Sequence, residues 1–179
     1  GNRGNYIMRN FLVFFGLFLA LFSTPVARAE LVEGDIAPAP TILQITPAGA
    51  DSRHALTQAA NAGEYVLIDF FSVTCGFCIR DLPKIAAFAR EIAGKATVRV
   101  VGIDRDEARM RKYRAENPNN FPFDFALDSS RQAMRAYGVT GTPTYFLVDP
   151  TGRIVFVQLG ELEPGNLDRI RDLIGMTRN

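Results

Sequence analysis

The chemical resource of this 179-residue chain is a pair of cysteines, Cys75 and Cys78, separated by Gly76 and Phe77. Two thiols at this spacing can close into a disulfide and exchange with a disulfide on another molecule. A disulfide across so short a loop removes little chain entropy, so a purely structural staple is a weak interpretation. The chain has one histidine, and together with two cysteines it supplies too few ligands for a closed zinc site. The pair is therefore predicted to be redox-active, with no metal and no cofactor.

Apolar patterning places the pair at the junction of a strand and a helix. The near-continuous apolar run 65–71 predicts a buried central strand, and a helical pattern then extends from the cysteines to Gly94. Cys75 is thus expected at the helix N-terminus, where unpaired N–H groups and the helix dipole stabilise a thiolate. It is the predicted nucleophile. Cys78, one turn further on, is the predicted resolving cysteine, which releases the partner from the mixed disulfide.

Residues in three parts of the sequence complete the expected site. Gly76 leaves room for the backbone of an incoming substrate, and Phe77 forms an apolar rim beside it. Asp69 lies inside the predicted strand, where burial raises the pKa of a carboxyl group and lets it take the proton of the resolving cysteine. Thr142 and Pro143 precede a later strand, and a cis bond there would expose the backbone of Thr142 to a bound peptide. A solvated aspartate and an ordinary trans proline are the alternatives.

The remaining patterns alternate between strands and helices. The predicted strands are 41–46, 65–71, 98–104, 121–127, 144–148 and 154–157, and the predicted helices are 51–62, 75–94, 105–116, 129–138 and 166–174. Ser129 or Ser130 and Asn166 are the expected caps of the last two helices. Pro83, inside the second helix, indicates either a kink or a later helix start. This order favours an α/β fold, a mixed sheet with helices on both faces.

The first 29 residues differ from the rest in charge and hydropathy. Residues 1–29 contain three arginines and no acid, so their removal changes the formal charge from +1 to −2. A twelve-residue apolar run, 11–22, is followed by small residues at Ala27 and Ala29. This pattern predicts some extra N-terminal residues and a secretory signal peptide, cleaved after Ala29 and leaving a domain over 30–179. The expected compartment is the periplasm, and an uncleaved membrane anchor is the alternative.

Taken together, these residues resemble the thioredoxin superfamily. The shared features are Asp69, the segment 70–78, Pro83 and the Gly-Thr-Pro-Thr sequence at 141–144. The N-terminal segment 34–38, the additional material at about 103–127 and the sequence 137–143 are similar to the TlpA/ResA branch of exported bacterial thiol–disulfide oxidoreductases.

The resemblance implies a thioredoxin-like mixed sheet flanked by helices, with an N-terminal strand extension and a central strand–helix insertion. It also implies that Cys75 attacks, that Cys78 resolves, and that Pro143 is a cis-proline facing them, with Asp69 as the buried acid. Members of the branch reduce protein disulfides and are recharged by a membrane thiol donor. Thr74 stands where the branch has an aromatic residue. Thr144 stands where cytochrome c maturation members often have Glu, which disfavours apocytochrome as the substrate.

Two other functions compete with disulfide exchange. A Cu(I) carrier could hold its ion between the two thiolates, although no Met or His flanks the pair. A thiol peroxidase would need the motif Pro-x-x-x-Thr-x-x-Cys. Counted back from Cys75, the chain has Ile68 at the proline position and Ser72 at the threonine position. Because Gly76 and Phe77 carry no positive charge beside the thiol, reduction is the favoured direction. Protein thiols and disulfides are the expected partners; the charge gives no reason to expect nucleic acid, and the oligomeric state stays open.

Overall fold

The computed structural model describes residues 30–46, 48 and 50–176, so the predicted leader, 1–29, lies outside the described residues. Within them the chain forms one seven-stranded mixed sheet with helices on both faces, as predicted. The strands are β1 (Thr41–Ile45), β2 (Asp51–Ala55), β3 (Tyr65–Phe71), β4 (Ala96–Gly102), β5 (Asp124–Leu127), β6 (Thr144–Val148) and β7 (Ile154–Leu159). The helices are α1 (Gln58–Asn61), α2 (Gly76–Glu91), α3 (Glu107–Glu116), α4 (Gln132–Ala136) and α5 (Pro164–Leu173), and Pro118–Asn120 forms a short 3₁₀ turn. Among these helices none is long and apolar enough to cross a membrane.

The strand order is β2-β1-β5-β4-β3-β6-β7. The central strands β3, β4 and β5 are parallel, whereas β6, β7, β1 and β2 join by antiparallel pairing. The hairpin β1–β2 is the N-terminal extension, and α3 with β5 is the central insertion. Parallel strands end at the same edge of a sheet, so the residues that follow β3 and β4 lie side by side.

The central strand β3 anchors both layers of the hydrophobic core. Leu67 and Phe71 point to the face covered by α2, α3 and α5, whereas Val66, Ile68 and Phe70 point to the face covered by α1 and α4. A fully buried side chain of this kind contributes about 1.5–3 kcal/mol. Burial on both faces explains why β3 is apolar along nearly its whole length.

The helix that carries the second cysteine is continuous through its proline. The structure contradicts the alternative of a later helix start, because α2 begins at Gly76 and includes Pro83. Proline has no N–H to donate, so the carbonyl of Ile79, one turn earlier, receives no bond from it. The helix ends at Glu91, three residues before the predicted end at Gly94.

The predicted helix over 51–62 is wrong. Residues 51–55 form β2, which pairs antiparallel with β1, and only α1 is helical. The chain reverses between Thr46 and Ala50, where the Ala50 N–H donates to Thr46 Oγ1 at 3.1 Å. Asp51 forms two hydrogen bonds with Arg111 of α3, at 3.0 and 2.9 Å, instead of capping a helix. Pairing with β1 and with α3 therefore overrides the local capping signal.

Both predicted caps in the C-terminal half are also wrong. Arg131, with a φ of 56°, precedes α4, and the buried carboxylate of Asp128 accepts from the N–H groups of Ala133 and Met134 at 3.1 and 2.8 Å. Asp128 reaches these groups because the left-handed residue turns the chain back toward it. The last helix starts at Pro164 after the cap Glu163, and Asn166 instead accepts from the Glu163 N–H at 2.9 Å.

Candidate active site

The two cysteines form a disulfide at the N-terminus of α2, with their Cα atoms 5.3 Å apart. Cys75 is the N-cap residue, and its Sγ accepts a hydrogen bond from the Cys78 N–H at 3.2 Å. Cys75 is half-buried, whereas Cys78 is 2% exposed and belongs to the hydrophobic core. Only the first sulfur is therefore open to a large partner, and it receives an N–H bond that would also stabilise a thiolate.

A loop from the other side of the sheet faces the first cysteine. The Thr142 carbonyl oxygen lies 3.3 Å from Cys75 Sγ, and the peptide bond between Thr142 and Pro143 is cis. The loop is held at both ends, because the Pro143 carbonyl accepts from the Gly160 N–H at 2.9 Å and Thr144 Oγ1 donates to the Gly141 carbonyl at 2.7 Å. The fold thus brings together two segments separated by more than sixty residues of sequence.

The residues between the cysteines lie on the surface. Gly76 is exposed, and the Phe77 side chain is 54% exposed. The Arg80 guanidinium lies over the Phe77 ring, 4.4 Å from its centroid, and 3.5 Å from a Glu161 carboxylate oxygen. The rim beside the disulfide therefore combines an aromatic ring with an arginine that contacts an acid.

Asp69 lies beneath the disulfide, on the face of β3 that packs against α2. It is 3% exposed, and its Oδ1 atom has no hydrogen-bond partner in the protein. Burial, with a smaller contribution from the nearby Asp81 carboxyl, raises the pKa of Asp69 to about 8. A carboxyl group with such a pKa can both accept and release a proton near neutral pH.

A second buried acid, Asp81, was not among the sequence predictions. It is 4% exposed and lies on α2 three residues after Cys78. Its carboxylate accepts from the Leu162 N–H at 3.1 Å and from the Tyr145 hydroxyl at 3.3 Å, and it forms an ion pair with Lys84 at 2.9 Å. Helical spacing could have revealed it, because residues three apart share a helix face and this face is otherwise apolar.

Tyr145 connects the two acids. It pairs directly with Asp69 across β3 and β6, while its hydroxyl donates to Asp81. Burial, followed by the charges of Asp69 and Asp81, raises the pKa of Tyr145, so the hydroxyl keeps its proton as a donor. The strand that begins just after Pro143 therefore also carries the donor that holds the buried acids in place.

No metal site accompanies this arrangement in the part of the chain that the structure describes, where no three His, Cys, Asp or Glu side chains lie together as ligands. His54 lies on the edge strand β2, half-buried and remote from the cysteines in the sheet order.

Comparison with known proteins agrees with this geometry. The family model described as Redoxin matches residues 33–174. The chain belongs to the Redoxin family. The thiol-disulfide oxidoreductase ResA of Bacillus subtilis (strain 168) is 26% identical over 112 residues, which cover 63% of this Redoxin protein and 62% of ResA. The chain thus spans less than two thirds of that relative's length.

Two solved structures share the fold. The thiol:disulfide interchange protein DsbE of Chlorobium tepidum superimposes with a TM-score of 0.66 at 27% identity, over 81% of this chain and 96% of that one. A 2-Cys peroxiredoxin of Plasmodium vivax superimposes with a TM-score of 0.68 at 14% identity, over 80% of this chain and 82% of that one, and shows the fold alone. The resemblance to the TlpA/ResA branch of the thioredoxin superfamily is confirmed.

Proposed function

We propose that this protein is a thiol–disulfide oxidoreductase in which Cys75 attacks and Cys78 resolves. The observation that carries the proposal is the unequal exposure of the pair: Cys75 is open at the helix N-terminus, while Cys78 is 2% exposed behind it. A disulfide whose two sulfurs were equally buried would hold the helix but could not reach another protein. ResA, the relative above, is named for this activity.

The reaction proceeds through two exchanges. The Cys75 thiolate attacks a substrate disulfide, forms a mixed disulfide and releases one substrate thiolate. The Cys78 thiolate then attacks the Cys75 sulfur, closes the internal disulfide and releases the second substrate thiolate. Two electrons pass from the protein to the substrate, and Asp69 takes the proton of Cys78. A reduced dithiol donor restores the starting state by the reverse exchange.

Substrate contact is assigned to the residues around the exposed sulfur. The Thr142 backbone, which precedes Pro143 and whose carbonyl oxygen lies 3.3 Å from Cys75 Sγ, offers strand-like hydrogen bonds to an extended segment of the partner. Gly76 leaves the approach to Cys75 open, and Phe77 supplies an apolar surface at its side. This arrangement suits a disulfide or thiol in a polypeptide, which can lie across the rim.

The direction is reduction of the substrate. Gly76 and Phe77 place no positive charge beside the Cys75 thiol to stabilise its thiolate. Asp69, buried on the core side of the pair with a pKa raised to about 8, adds negative charge there only when it ionises. A protein whose reduced form is less stabilised gives up its electrons more readily. The guanidinium of Arg80, which lies over the Phe77 ring, has the Glu161 carboxylate as a counter-charge at 3.5 Å.

The site of action is the periplasm, and a membrane thiol donor supplies the electrons. The membrane donor is suggested by the resemblance to the TlpA/ResA branch alone, whereas the leader pattern in residues 1–29 supports export. Fusion of residues 1–29 to a reporter enzyme that is active only outside the cytoplasm tests it. An active reporter supports export, and an inactive reporter made in normal amounts contradicts it.

The activity is tested with reduced protein and insulin, whose disulfides precipitate the chains once broken. We expect the wild-type protein to reduce insulin and Cys78→Ser to accumulate a mixed disulfide through Cys75. Equilibration with glutathione should leave the internal pair more reducing than glutathione itself. A pair more oxidising than glutathione overturns the direction, and failure to exchange with any disulfide overturns the activity.

The same reduced sample separates the competing functions. One-to-one Cu(I) binding that survives competition with glutathione, without insulin reduction, would favour a copper carrier. Rapid peroxide consumption would favour a peroxidase. The geometry disfavours the peroxidase, because the Ser72 hydroxyl at the required position is bonded to Asp104 and Thr74.

A further inference from the structure

We propose that Ser72, Thr74 and Asp104, here called the hydroxyl network, are positioning residues for Cys75. This inference rests on the proposed function, which makes Cys75 the nucleophile. Residues 72–74 connect β3 to α2 and belong to no strand or helix. They therefore need other bonds to hold the cysteine at the start of the helix.

The direction of the bonds in the network follows from the chemistry of a carboxylate. Ser72 Oγ lies 2.9 Å from an Asp104 oxygen, and because an ionised carboxyl only accepts, the serine hydroxyl donates. The serine oxygen is then the acceptor for Thr74, whose N–H lies at 3.1 Å and whose hydroxyl lies at 2.8 Å. The second Asp104 oxygen accepts from the Val73 N–H at 3.0 Å. Thr74 thus donates to Ser72, which donates to Asp104.

The network connects the attacking cysteine to the sheet. The Ser72 carbonyl accepts from the Cys75 N–H at 3.1 Å. Ser72 is therefore bonded both to Asp104, through its hydroxyl, and to Cys75, through its carbonyl. Asp104 follows β4, and the preceding Ile103 N–H donates to the Phe71 carbonyl at 2.9 Å. Ser72 is 7% exposed, and a hydrogen bond to a charged group at a site shielded from water is stronger than a neutral one. Movement of the cysteine away from the helix axis would require these bonds to break.

This position matters because the stabilisation of a thiolate by a helix N-terminus falls off within one turn. Thr74 is the residue directly before Cys75. Its hydroxyl completes the network, while its side chain stays exposed. The residue before Cys75 is therefore held by hydrogen bonds and not by burial of its side chain.

Thr74→Val tests the proposal, because valine keeps the shape and removes the hydroxyl. The reduced protein is treated with iodoacetamide at neutral pH, and the labelled cysteine is identified by mass spectrometry. We expect alkylation of Cys75 to slow about two- to fivefold in Thr74→Val, to slow further in Ser72→Ala, and to return to the wild-type rate in Thr74→Ser. The equilibrium constant of the Cys75–Cys78 pair with glutathione should differ from the wild-type value more in Ser72→Ala than in Thr74→Val, and should return to it in Thr74→Ser.

Thr97→Val is the matched control. Thr97 also donates one side-chain hydrogen bond, to Glu64 at 2.8 Å, but it lies at the start of β4, away from the cysteines. Both Thr74→Val and Thr97→Val should lower the midpoint of urea unfolding, because each removes a hydrogen bond. Only Thr97→Val should leave the rate of Cys75 alkylation unchanged. An unchanged or faster rate in Thr74→Val, or no recovery in Thr74→Ser, overturns the network. Alkylation requires no protein substrate, so a slowed Thr74→Val in a protein that never reduces insulin would overturn the proposed function alone.

Discussion

The two edges of the central parallel strands differ in shape and in chemistry. At the edge where β3 ends, the half-buried Cys75 faces Thr142. Two exposed apolar side chains lie at this edge: Phe77, between the cysteines, and Leu159, beside Gly141. At the edge where β3 and β4 begin, a cavity of about 380 Å³ is lined by the end of α2, the start of β4 and residues 122–124. The cavity contains Glu64 and Thr97 but neither cysteine.

On the proposed function, the reacting sulfur lies at the edge that does not hold this cavity. A small ligand needs a cavity that surrounds it, whereas a disulfide on another protein needs an exposed sulfur and an exposed backbone. In the cavity at the opposite edge, two polar side chains bond to each other, because the Thr97 hydroxyl donates to the Glu64 carboxylate. At the cysteine edge Cys75 and Thr142 are half-buried and Phe77 is exposed, which suits the proposed exchange with a polypeptide.

The largest expected effect separates the two edges directly. Cys75→Ser removes the exposed sulfur and should reduce insulin reduction to the uncatalysed level, because the buried Cys78 cannot reach a protein disulfide. Glu64→Gln, in the cavity, should retain full activity. The measurement is the initial rate of insulin precipitation with a fixed dithiol donor. Activity in Cys75→Ser would mean that the wrong sulfur has been assigned as the nucleophile.

Asp69→Asn tests the buried side of the cysteine edge. The pKa of Asp69 is about 8 in the folded protein and about 3.9 in an unfolded chain. Between these values the folded protein keeps a proton that the unfolded chain has lost, so stability falls as the pH rises and stops falling above the folded pKa. Asn cannot ionise, and we expect it to raise the free energy of unfolding by on the order of 2–4 kcal/mol near pH 8 and to change it little near pH 4.

Urea unfolding of the oxidised protein at both pH values measures this effect. A gain from Asp69→Asn that is equal at the two pH values would show that the carboxyl is not protonated in the folded state. The same variant should slow resolution of the mixed disulfide, because the proton acceptor for Cys78 is lost. An unchanged resolution rate, measured by single-turnover quenching, would remove Asp69 from the reaction.

Phe77→Ala sharpens the claim that the exposed rim contacts polypeptide. We expect kcat/KM for insulin to fall about three- to tenfold, equivalent to about 0.7–1.4 kcal/mol of lost apolar contact. The rate with a small dithiol or disulfide should change less than about twofold. Val32→Ala is the matched control, because Val32 is 59% exposed and Phe77 is 54% exposed, yet Val32 lies in the N-terminal segment. Equal losses for insulin and the small disulfide would indicate an effect on the cysteines instead of on docking.

The smallest effect is expected from filling the cavity. Ala93 is exposed at its wall, and Ala93→Phe would occupy part of the space. Insulin reduction should stay within about twofold of wild type, and stability should change by about 0.5 kcal/mol or less, as for most surface substitutions. A large loss of activity would show that the cavity takes part in function and would break the contrast between the edges.

Elements with strong periodicity were predictable from the sequence, whereas those that depend on a distant partner were not. The limits of β3 and β6 match the prediction, because a strand buried on both faces has a continuous apolar signature. The helix predicted over 51–62 failed because β2 exists only through pairing with β1. The start of α4 failed because Asp128, rather than an adjacent serine, reaches its free N–H groups.

The sequence by itself determined the redox pair, its place between a strand and a helix, and the likeness to the TlpA/ResA branch, because spacing and hydrophobic period are local properties. Only the tertiary structure decided which sulfur is open, that Asp81 joins Asp69 beneath the pair, and that Asp104 holds Ser72 and Thr74. These features depend on contacts between segments tens of residues apart, such as the 32 positions between Ser72 and Asp104. Such contacts follow from how the strands align, and local pattern does not contain that information.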